Sequence, residues 1–591
     1  MSNPTEQRFD SQIFWRILGL ARPYRRIFLF AGVLAVVMAP VASLRPYLIN
    51  VMVDEYIIKF NLDGLFLMSG LLAGLLVLEV IMRYGFIYST NLLGQSVIRD
   101  LRTRLFKHLL SLRLRFFDQT PIGTMTTRTI NDIEAINTVF SQGLITIIAD
   151  VLSVVAVLFI MFYSSWQLTI ICLATMPLMI IATYVFKEKV KAAYQIVRNQ
   201  IAKMNAFLQE RISGMRIVQI FNAEDRERAK FKVINREYTQ ANLDSILYYA
   251  VFFPVVDIIS ALALGLMVWW GARGVINEDI TFGALVAFPI YLSMLFRPLR
   301  FMADKFNTLQ MGLVAADRVF GLLDRRDHIE DEGSLQPDRF KGDLEFDNVS
   351  FAYDEINYVL NDISFKIGAG ETLALVGSTG SGKSTIINVL SRFYEVQKGV
   401  IKIDDRPVKE YRLNALRERI SVVLQDVFLF SGSLIENITL RDETISKEKV
   451  VAAAKMIGAH QFIMRMPDGY QFAVNERGSN MSTGQRQIIS FIRALVFEPD
   501  ILILDEATSS VDSETESVIQ YAIEKLIDQR TSIIIAHRLS TIRHADYIGV
   551  MDQGKLIEFG THEDLLKIEE GRYAELYEMQ FDAVDATDLS T

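Results

Sequence analysis

The chain has 591 residues, of which 51% are hydrophobic, 11% aromatic and 22% charged, with a formal net charge of −8. That apolar and aromatic content excludes a disordered chain, and 33 glycines against 13 prolines exclude collagen-like and low-complexity classes. A single cysteine, Cys172, excludes a disulfide scaffold or a zinc site built on cysteine pairs, and the acidic balance leaves no general nucleic-acid footprint.

The apolar residues are concentrated in the first 310 positions. Ile27–Leu44 is an uncharged run of helix length, preceded by Arg22, Arg25 and Arg26. Leu65–Leu78 is a second, extended past Glu79 and Arg83 to Tyr88. Leu144–Phe162 and Leu168–Phe186 are a third and fourth, and Ile246–Trp270 and Phe282–Phe296 a fifth and sixth. A bilayer crossing needs about 20 mostly apolar residues, so six spans are expected. No cleaved signal peptide is expected, because the basic flank is not followed by a small-residue cleavage site. Arg99–Arg128 and Lys187–Arg236 are dense in Lys and Arg, which places both, and both ends of the six-span unit, in the cytoplasm. These two connections read as helices that run on below the membrane, turn and return. The turns are marked by Asp118, Pro121 and Gly123, and by Ser213–Gly214. Arg45, Glu79, Arg83, Asp150, Asp257 and Arg297 lie in or beside the spans, where a charge faces either a cavity or a partner.

Composition shifts near Leu323, so the expected divisions are 1–323 for the membrane domain, 324–343 for a charged linker, 344–580 for a soluble α/β domain and 581–591 for a disordered tail. The fold class expected is a multidomain membrane protein, all-α in its first half and a P-loop α/β domain in its second. Strand-like runs Thr372–Val376, Ile420–Leu424, Ile501–Leu504 and Ser532–Ala536 alternate with helical stretches there.

The sharpest motif is Gly377, Ser378, Thr379, Gly380, Ser381, Gly382, Lys383, Ser384, which matches the P-loop pattern between a strand and a helix. Backbone N–H groups of such a loop cradle phosphates at a helix N-terminus. Lys383 reaches the terminal phosphates and Ser384 can ligate Mg2+. About 120 residues on, an apolar strand ends in Asp505 and Glu506. Asp505 suits the Mg2+ surroundings, and Glu506 can polarise a water in line with the γ-phosphate. Gln425 follows a strand-like SVVL, His537 follows SIIIA where it can sense the γ-phosphate, and Tyr353 lies upstream where an aromatic can stack on adenine.

The segment from Asn480 to Gln487, NMSTGQRQ, resembles the signature motif of ABC proteins, usually LSGGQ. With the P-loop, the Gln425 loop, ILILDEATSSVD and the His537 strand, the second half resembles an ABC nucleotide-binding domain. Six spans fused ahead of it resemble a half-transporter of the ABC exporter family, of the multidrug and lipid-flippase type.

That resemblance implies two nucleotide domains sandwiching two ATPs head to tail. Tyr353 would stack on adenine and Gly377 to Thr385 would hold the phosphates. Gln425 would touch Mg2+, together with Ser384 and Asp505, and couple to the membrane half. Glu506 would be the general base, with Lys383 and His537 completing the catalytic set. Ser482, Gly484 and Gln485 would meet the partner's ATP, Ser509–Asp512 would cross the dimer interface, and Glu476 would face the cytoplasmic helices. The turns near Asp118–Thr124 and Ser213–Arg216 would be the coupling helices. Thr483 departs from the pattern, standing where a glycine is usual, which weakens the composite site this signature completes. An intact P-loop beside an altered signature resembles one member of a bacterial heterodimer, so a second half-transporter is the expected partner, a homodimer being the other option. The implied activity is ATP-driven export or flipping of amphipathic small molecules or lipids by alternating access, in the cytoplasmic (inner) membrane, with ATP and Mg2+ required. The alternative of the same fold is an ATP-gated channel or regulatory membrane protein.

Overall fold

The computed structural model describes residues 11–578 apart from 355, 506–512, 529 and 537–541. The tail expected at 581–591 therefore lies outside the described residues. The chain divides into two units. One runs up to Ser111 and resumes over Pro121–Arg326, and the other takes Leu112–Thr120 and everything from Asp327.

Helices occupy the first half throughout. In chain order they are α1 Ser11–Leu20, α2 Arg22–Ile57, α3 Leu62–Leu110, α4 Leu114–Gln119, α5 Ile122–Ser164, α6 Trp166–Ser213, α7 Met215–Ile220, α8 Glu224–Ile276 and α9 Phe282–Leu323. Five of them, α2, α3, α5, α6 and α8, are long and apolar enough to cross a membrane. In α9 the apolar stretch, Phe282–Pro298, is shorter, because Arg297, Arg300, Asp304 and Lys305 interrupt it, so the sixth span rests on a shorter apolar run than the others. The 53 residues of α8 would be about 80 Å long at 1.5 Å per residue, against a hydrocarbon core of about 30 Å. The basic connections are thus continuations of span helices, as expected. Large apolar side chains on α3 such as Leu71, Val80, Ile81 and Tyr84 stay exposed, a face suited to lipid because every backbone group of a helix is satisfied internally.

Helix α1 had no counterpart in the sequence reading. It is fastened by Arg16, whose guanidinium forks onto Asp324 at 2.5 and 2.6 Å and lies 4.2 Å from the Phe320 ring centroid. Three of the span charges pair across helices: Arg45 bonds Glu79 at 3.3 Å, and Asp150 bonds Lys305. The start of α9 is fixed to the end of α2, since the Gly283 N–H donates to Asp54 at 2.6 Å. A Cβ on Gly283 would sit 2.2 Å from the Asn50 carbonyl oxygen, so glycine is what allows that approach.

The second unit is built on strands β1 Leu344–Phe351, β2 Leu360–Ile367, β3 Thr372–Gly377, β4 Lys398–Ile403, β5 Arg406–Pro407, β6 Ile420–Val423, β7 Gly432–Ser433, β8 Ala473–Val474, β9 Ile501–Asp505, β10 Thr531–Ile535, β11 Tyr547–Asp552 and β12 Lys555–Gly560. An antiparallel sheet has the order β2-β1-β4-β5, and a six-stranded sheet the order β12-β11-β3-β10-β9-β6, parallel from β11 to β6. Strand β10 is buried at every position and β3 and β9 at all but the last. Apolar side chains on both faces are what a parallel sheet covered on both sides requires. Alternation then sorts the strands between two cores: Leu502, Leu504 and Ile534 point into one, and Ile501, Ile503, Ile533 and Ile535 into the other.

The charged stretch after Leu323 does not hang free of the second unit. Phe340 is buried against Tyr411, ring centroids 5.0 Å apart, and Ser334 and Leu335 donate to the Glu410 carbonyl. Its polar composition concealed this, because backbone groups rather than side chains make most of the attachment.

Candidate functional site

Parallel pairing lines up the C-terminal ends of β3, β9 and β10. Ile535 sits opposite Leu375 on one side and Asp505 on the other. The P-loop leaves β3 at that edge, and Asp505 closes β9 beside it. Glu506, His537 and Ser509–Asp512 lie outside the described residues.

The loop itself is shaped by glycine where sterics demand it. Gly377 has φ +146° and a Cβ there would lie 2.1 Å from the Met551 carbonyl oxygen, and Gly382, with φ +106°, opens the helix α10 Lys383–Leu390. A glycine-shaped loop that opens directly into a helix N-terminus suits phosphate, because backbone N–H groups and the positive helix end favour an anion. Ser381 is buried, and its carbonyl accepts from Gly554 at 3.1 Å. The ammonium of Lys383 lies across the loop, donating to the carbonyls of Gly377 at 2.7 Å and Ser378 at 2.9 Å. Burial pushes this lysine below its ordinary value, and the Asp505 carboxylate opposes the shift. Ser384 is exposed at the helix start and Thr385 is buried. A hydroxyl and a carboxylate are oxygen ligands that suit Mg2+, and the lysine cation suits the phosphates it would accompany.

Tyr353 is brought to the same place. Its hydroxyl donates to Thr385 Oγ1 at 3.3 Å and accepts from Asn388 at 3.0 Å. Its ring packs edge-on against Phe351 at 4.8 Å and Tyr394 at 5.0 Å. Gln425 is exposed two residues beyond β6, which ends at Val423 rather than running through Leu424. The loop after it is held from behind by Arg493, which donates to the carbonyls of Asn437 at 3.0 Å and Phe428 at 3.4 Å, and by Asn437, which brackets the Phe430 backbone at 2.8 Å on both sides. Neither residue carries a sequence signal, because each acts on the backbone of a distant loop.

The signature forms the N-terminus of a second helix, α11 Thr483–Val496. Ser482 is its N-cap: its Oγ accepts from the Gln485 N–H at 3.2 Å, while its own N–H donates to Gln485 Oε1 at 3.0 Å. This reciprocal capping satisfies two helix-end donors. Thr483 takes ordinary helical backbone at the first turn, and its hydroxyl accepts from Arg486 at 3.2 Å. The threonine therefore costs this helix no strain. Gly484 is buried and Glu476 exposed. Among the described residues no hydrogen bond or ion pair joins Ser482–Gln485 to the P-loop, so the two form separate surfaces of one unit.

Short helices stand at α4 and α7, shifted from the expected turns. Pro121 cannot donate a backbone hydrogen bond and caps the next helix, which moves Gly123 and Thr124 into α5. Similarly, Ser213 closes α6 and the short helix begins after Gly214. The first of them clusters with the strand-built unit. The Arg113 N–H donates to the Asp327 carbonyl at 3.0 Å and its Nε to the His328 carbonyl at 2.6 Å. The Tyr394 hydroxyl donates to Asp118 in α4, and burial together with that carboxylate pushes the phenol up. Tyr394 thereby touches both Tyr353 and α4. Tyr394→Phe deletes this charge-assisted bond, which contributes about 1–2 kcal/mol at a partly exposed site. A fall in melting temperature of a few degrees and a severalfold loss of substrate-stimulated ATP turnover are expected, read by thermal unfolding and phosphate release. Unchanged stimulation would show the bond to be incidental.

Comparison with known proteins accords with this geometry. The family model described as ABC transporter transmembrane region matches residues 28–299, and that described as ABC transporter matches residues 360–509. The chain is 40% identical over 579 residues to the uncharacterized ABC transporter ATP-binding protein YknV of Bacillus subtilis (strain 168), covering 98% of this chain and 96% of that one. It is 37% identical to the probable multidrug resistance ABC transporter ATP-binding/permease protein YheH of the same organism, over 88% of this chain and 77% of that one. It is 34% identical to the ATP-dependent lipid A-core flippase of Syntrophus aciditrophicus (strain SB), over 97% and 95%.

Proposed function

This chain belongs to the ABC transporters, as a membrane-spanning exporter half whose ATP hydrolysis drives transport, and we propose from that premise how its parts divide the work and what it moves. The observation that carries the proposal is the strand edge where the P-loop, Lys383, Asp505 and Tyr353 converge, on the same chain as five helices long enough to span a bilayer.

Tyr353 stacks on the adenine of ATP. Residues Gly377 to Thr385 hold its phosphates, with Lys383 on the terminal ones. Ser384, Gln425 and Asp505 would hold Mg2+, which when bound would neutralise charge on the phosphate oxygens. Glu506 takes the proton of the attacking water and His537 orients the γ-phosphate. Ser482, Gly484 and Gln485 close on the ATP of a second subunit. Closure stabilised by ATP and released by hydrolysis biases a two-state membrane domain through α4 and α7, which is alternating access. The cargo is an amphipathic small molecule or lipid, in keeping with relatives named for multidrug resistance and lipid A-core flipping. The protein sits in the cytoplasmic (inner) membrane with its nucleotide domain, residues 344–580, in the cytoplasm.

The partner is a different half-transporter. Thr483 leaves α11 unstrained, so its Cβ acts at the surface offered to the other subunit's phosphates rather than on the fold of its own. The chain purified alone in lipid nanodiscs is expected to hydrolyse ATP feebly, and Thr483→Gly to raise its turnover severalfold. A wild-type dimer with full turnover that Thr483→Gly leaves unchanged would favour a homodimer.

A further inference from the structure

Helices α6, α8 and α9 line a half-open cavity of about 540 Å³, inside the range of roughly 300–1,000 Å³ that takes drug-sized ligands. Its apolar wall is aromatic: Phe186 and Phe252 stack with centroids 3.8 Å apart, and Tyr249, Phe253 and Phe296 extend the surface. Two opposite charges line it, Arg297 and Asp304, both on α9. Among the described residues no hydrogen bond or ion pair engages either charged group. They stand seven residues apart, beyond the three- or four-residue spacing at which helix neighbours pair. Two turns of helix separate them by about 10 Å along the axis.

Resting on the transport reading above, we propose that this cavity selects a zwitterionic amphiphile of drug size. Its anion meets Arg297, its cation meets Asp304 and the aromatic faces, and its apolar body lies on the Phe186–Phe252 stack. A neutral ligand would strip water from two charges and return nothing, and a singly charged one would leave one of them unmatched. A cation also gains from the ring faces of Tyr249 and Phe253. The cavity lies where α6 leaves its apolar run at Lys187, where α8 enters its own after Ile246, and where α9 ends its own at Pro298. By the loop charges these are the cytoplasmic ends, so the ligand is taken up from the inner side.

The test uses the full chain in phosphatidylglycerol nanodiscs without nucleotide. Three radiolabelled probes are compared by equilibrium dialysis below their micellar concentrations: dodecylphosphocholine, lauroyl-lysophosphatidylglycerol and dodecyltrimethylammonium. The phosphocholine is expected to bind about tenfold more tightly than either singly charged probe. Arg297→Gln should weaken the phosphocholine and the anionic probe severalfold while sparing the ammonium, and Asp304→Asn should weaken the phosphocholine and the ammonium while sparing the anion. Each variant then carries its own proof of folding in the probe it retains. Equal binding of all three probes by the wild type, or a uniform loss in both variants, would overturn the proposal. Displacement of the probe when the disc lipid is changed to phosphatidylcholine would assign the cavity to bilayer lipid and overturn the drug-sized occupant. Binding is read without ATP, so failure here leaves the transport reading intact, and loss of ATP turnover leaves the cavity reading intact.

Discussion

Lys383→Ala is expected to lower ATP turnover by about 10²–10³, the usual consequence of removing one preorganised group that faces charge developing on a transferring phosphoryl oxygen. Two losses combine. One is the cation at the phosphates. The other is the tie between α10 and the carbonyls of Gly377 and Ser378, which the ammonium makes at 2.7 and 2.9 Å. Only 7% of Lys383 is exposed, so a bulkier arginine has little room, and Lys383→Arg should not rescue activity. Phosphate release with purified protein in nanodiscs reads the rate, and fluorescent ATP binding shows whether affinity falls with it. Turnover within tenfold of wild type would exclude the assigned role.

Glu506→Gln is expected to reduce hydrolysis by about 10²–10⁴, the range supplied by a positioned general base. ATP affinity should persist, because glutamine keeps the size and hydrogen-bonding capacity of the side chain and loses only its basicity. The two variants are therefore told apart by binding: Lys383→Ala weakens it and Glu506→Gln retains it. Asp505 ends β9 opposite Ile535 of β10, at the same end of the sheet as the start of the P-loop. A Glu506→Gln variant that hydrolyses ATP normally would transfer the base role to another group.

Lys383 was legible in the sequence because a P-loop is a run of consecutive residues whose glycines, lysine and hydroxyl act through their own backbone and through one helix N-terminus, so spacing suffices to find it. Apolar runs between basic connections are equally local, and the four anticipated strands of the second half appear within one residue at each end. The capping pair Ser482 and Gln485 is also local: the residues expected to meet a partner's ATP also hold the start of their own helix.

Other features depend on residues far apart. Tyr394 and Asp118 are 276 positions apart, and no pattern in either neighbourhood announces their bond. Arg493 and Asn437 hold the Gln425 loop through its backbone, which leaves no trace in residue type. Helix α1 has the same character: Arg16 anchors it to Asp324, 308 positions away.

By itself the sequence determined that the chain enters a membrane several times, binds a nucleoside triphosphate and carries both capacities in one polypeptide. These follow from hydrophobic runs and from one loop, whose physics is confined to neighbouring residues. Tertiary structure alone decided that Leu112–Thr120 clusters with the strand-built unit rather than with the helices that flank it, and that Arg297 and Asp304 open into an aromatic cavity while Arg45, Glu79 and Asp150 find partners. A charge within a span must be paired or face a polar space, and which of the two it finds depends on the neighbouring helix, whose placement is set by packing across the whole bundle.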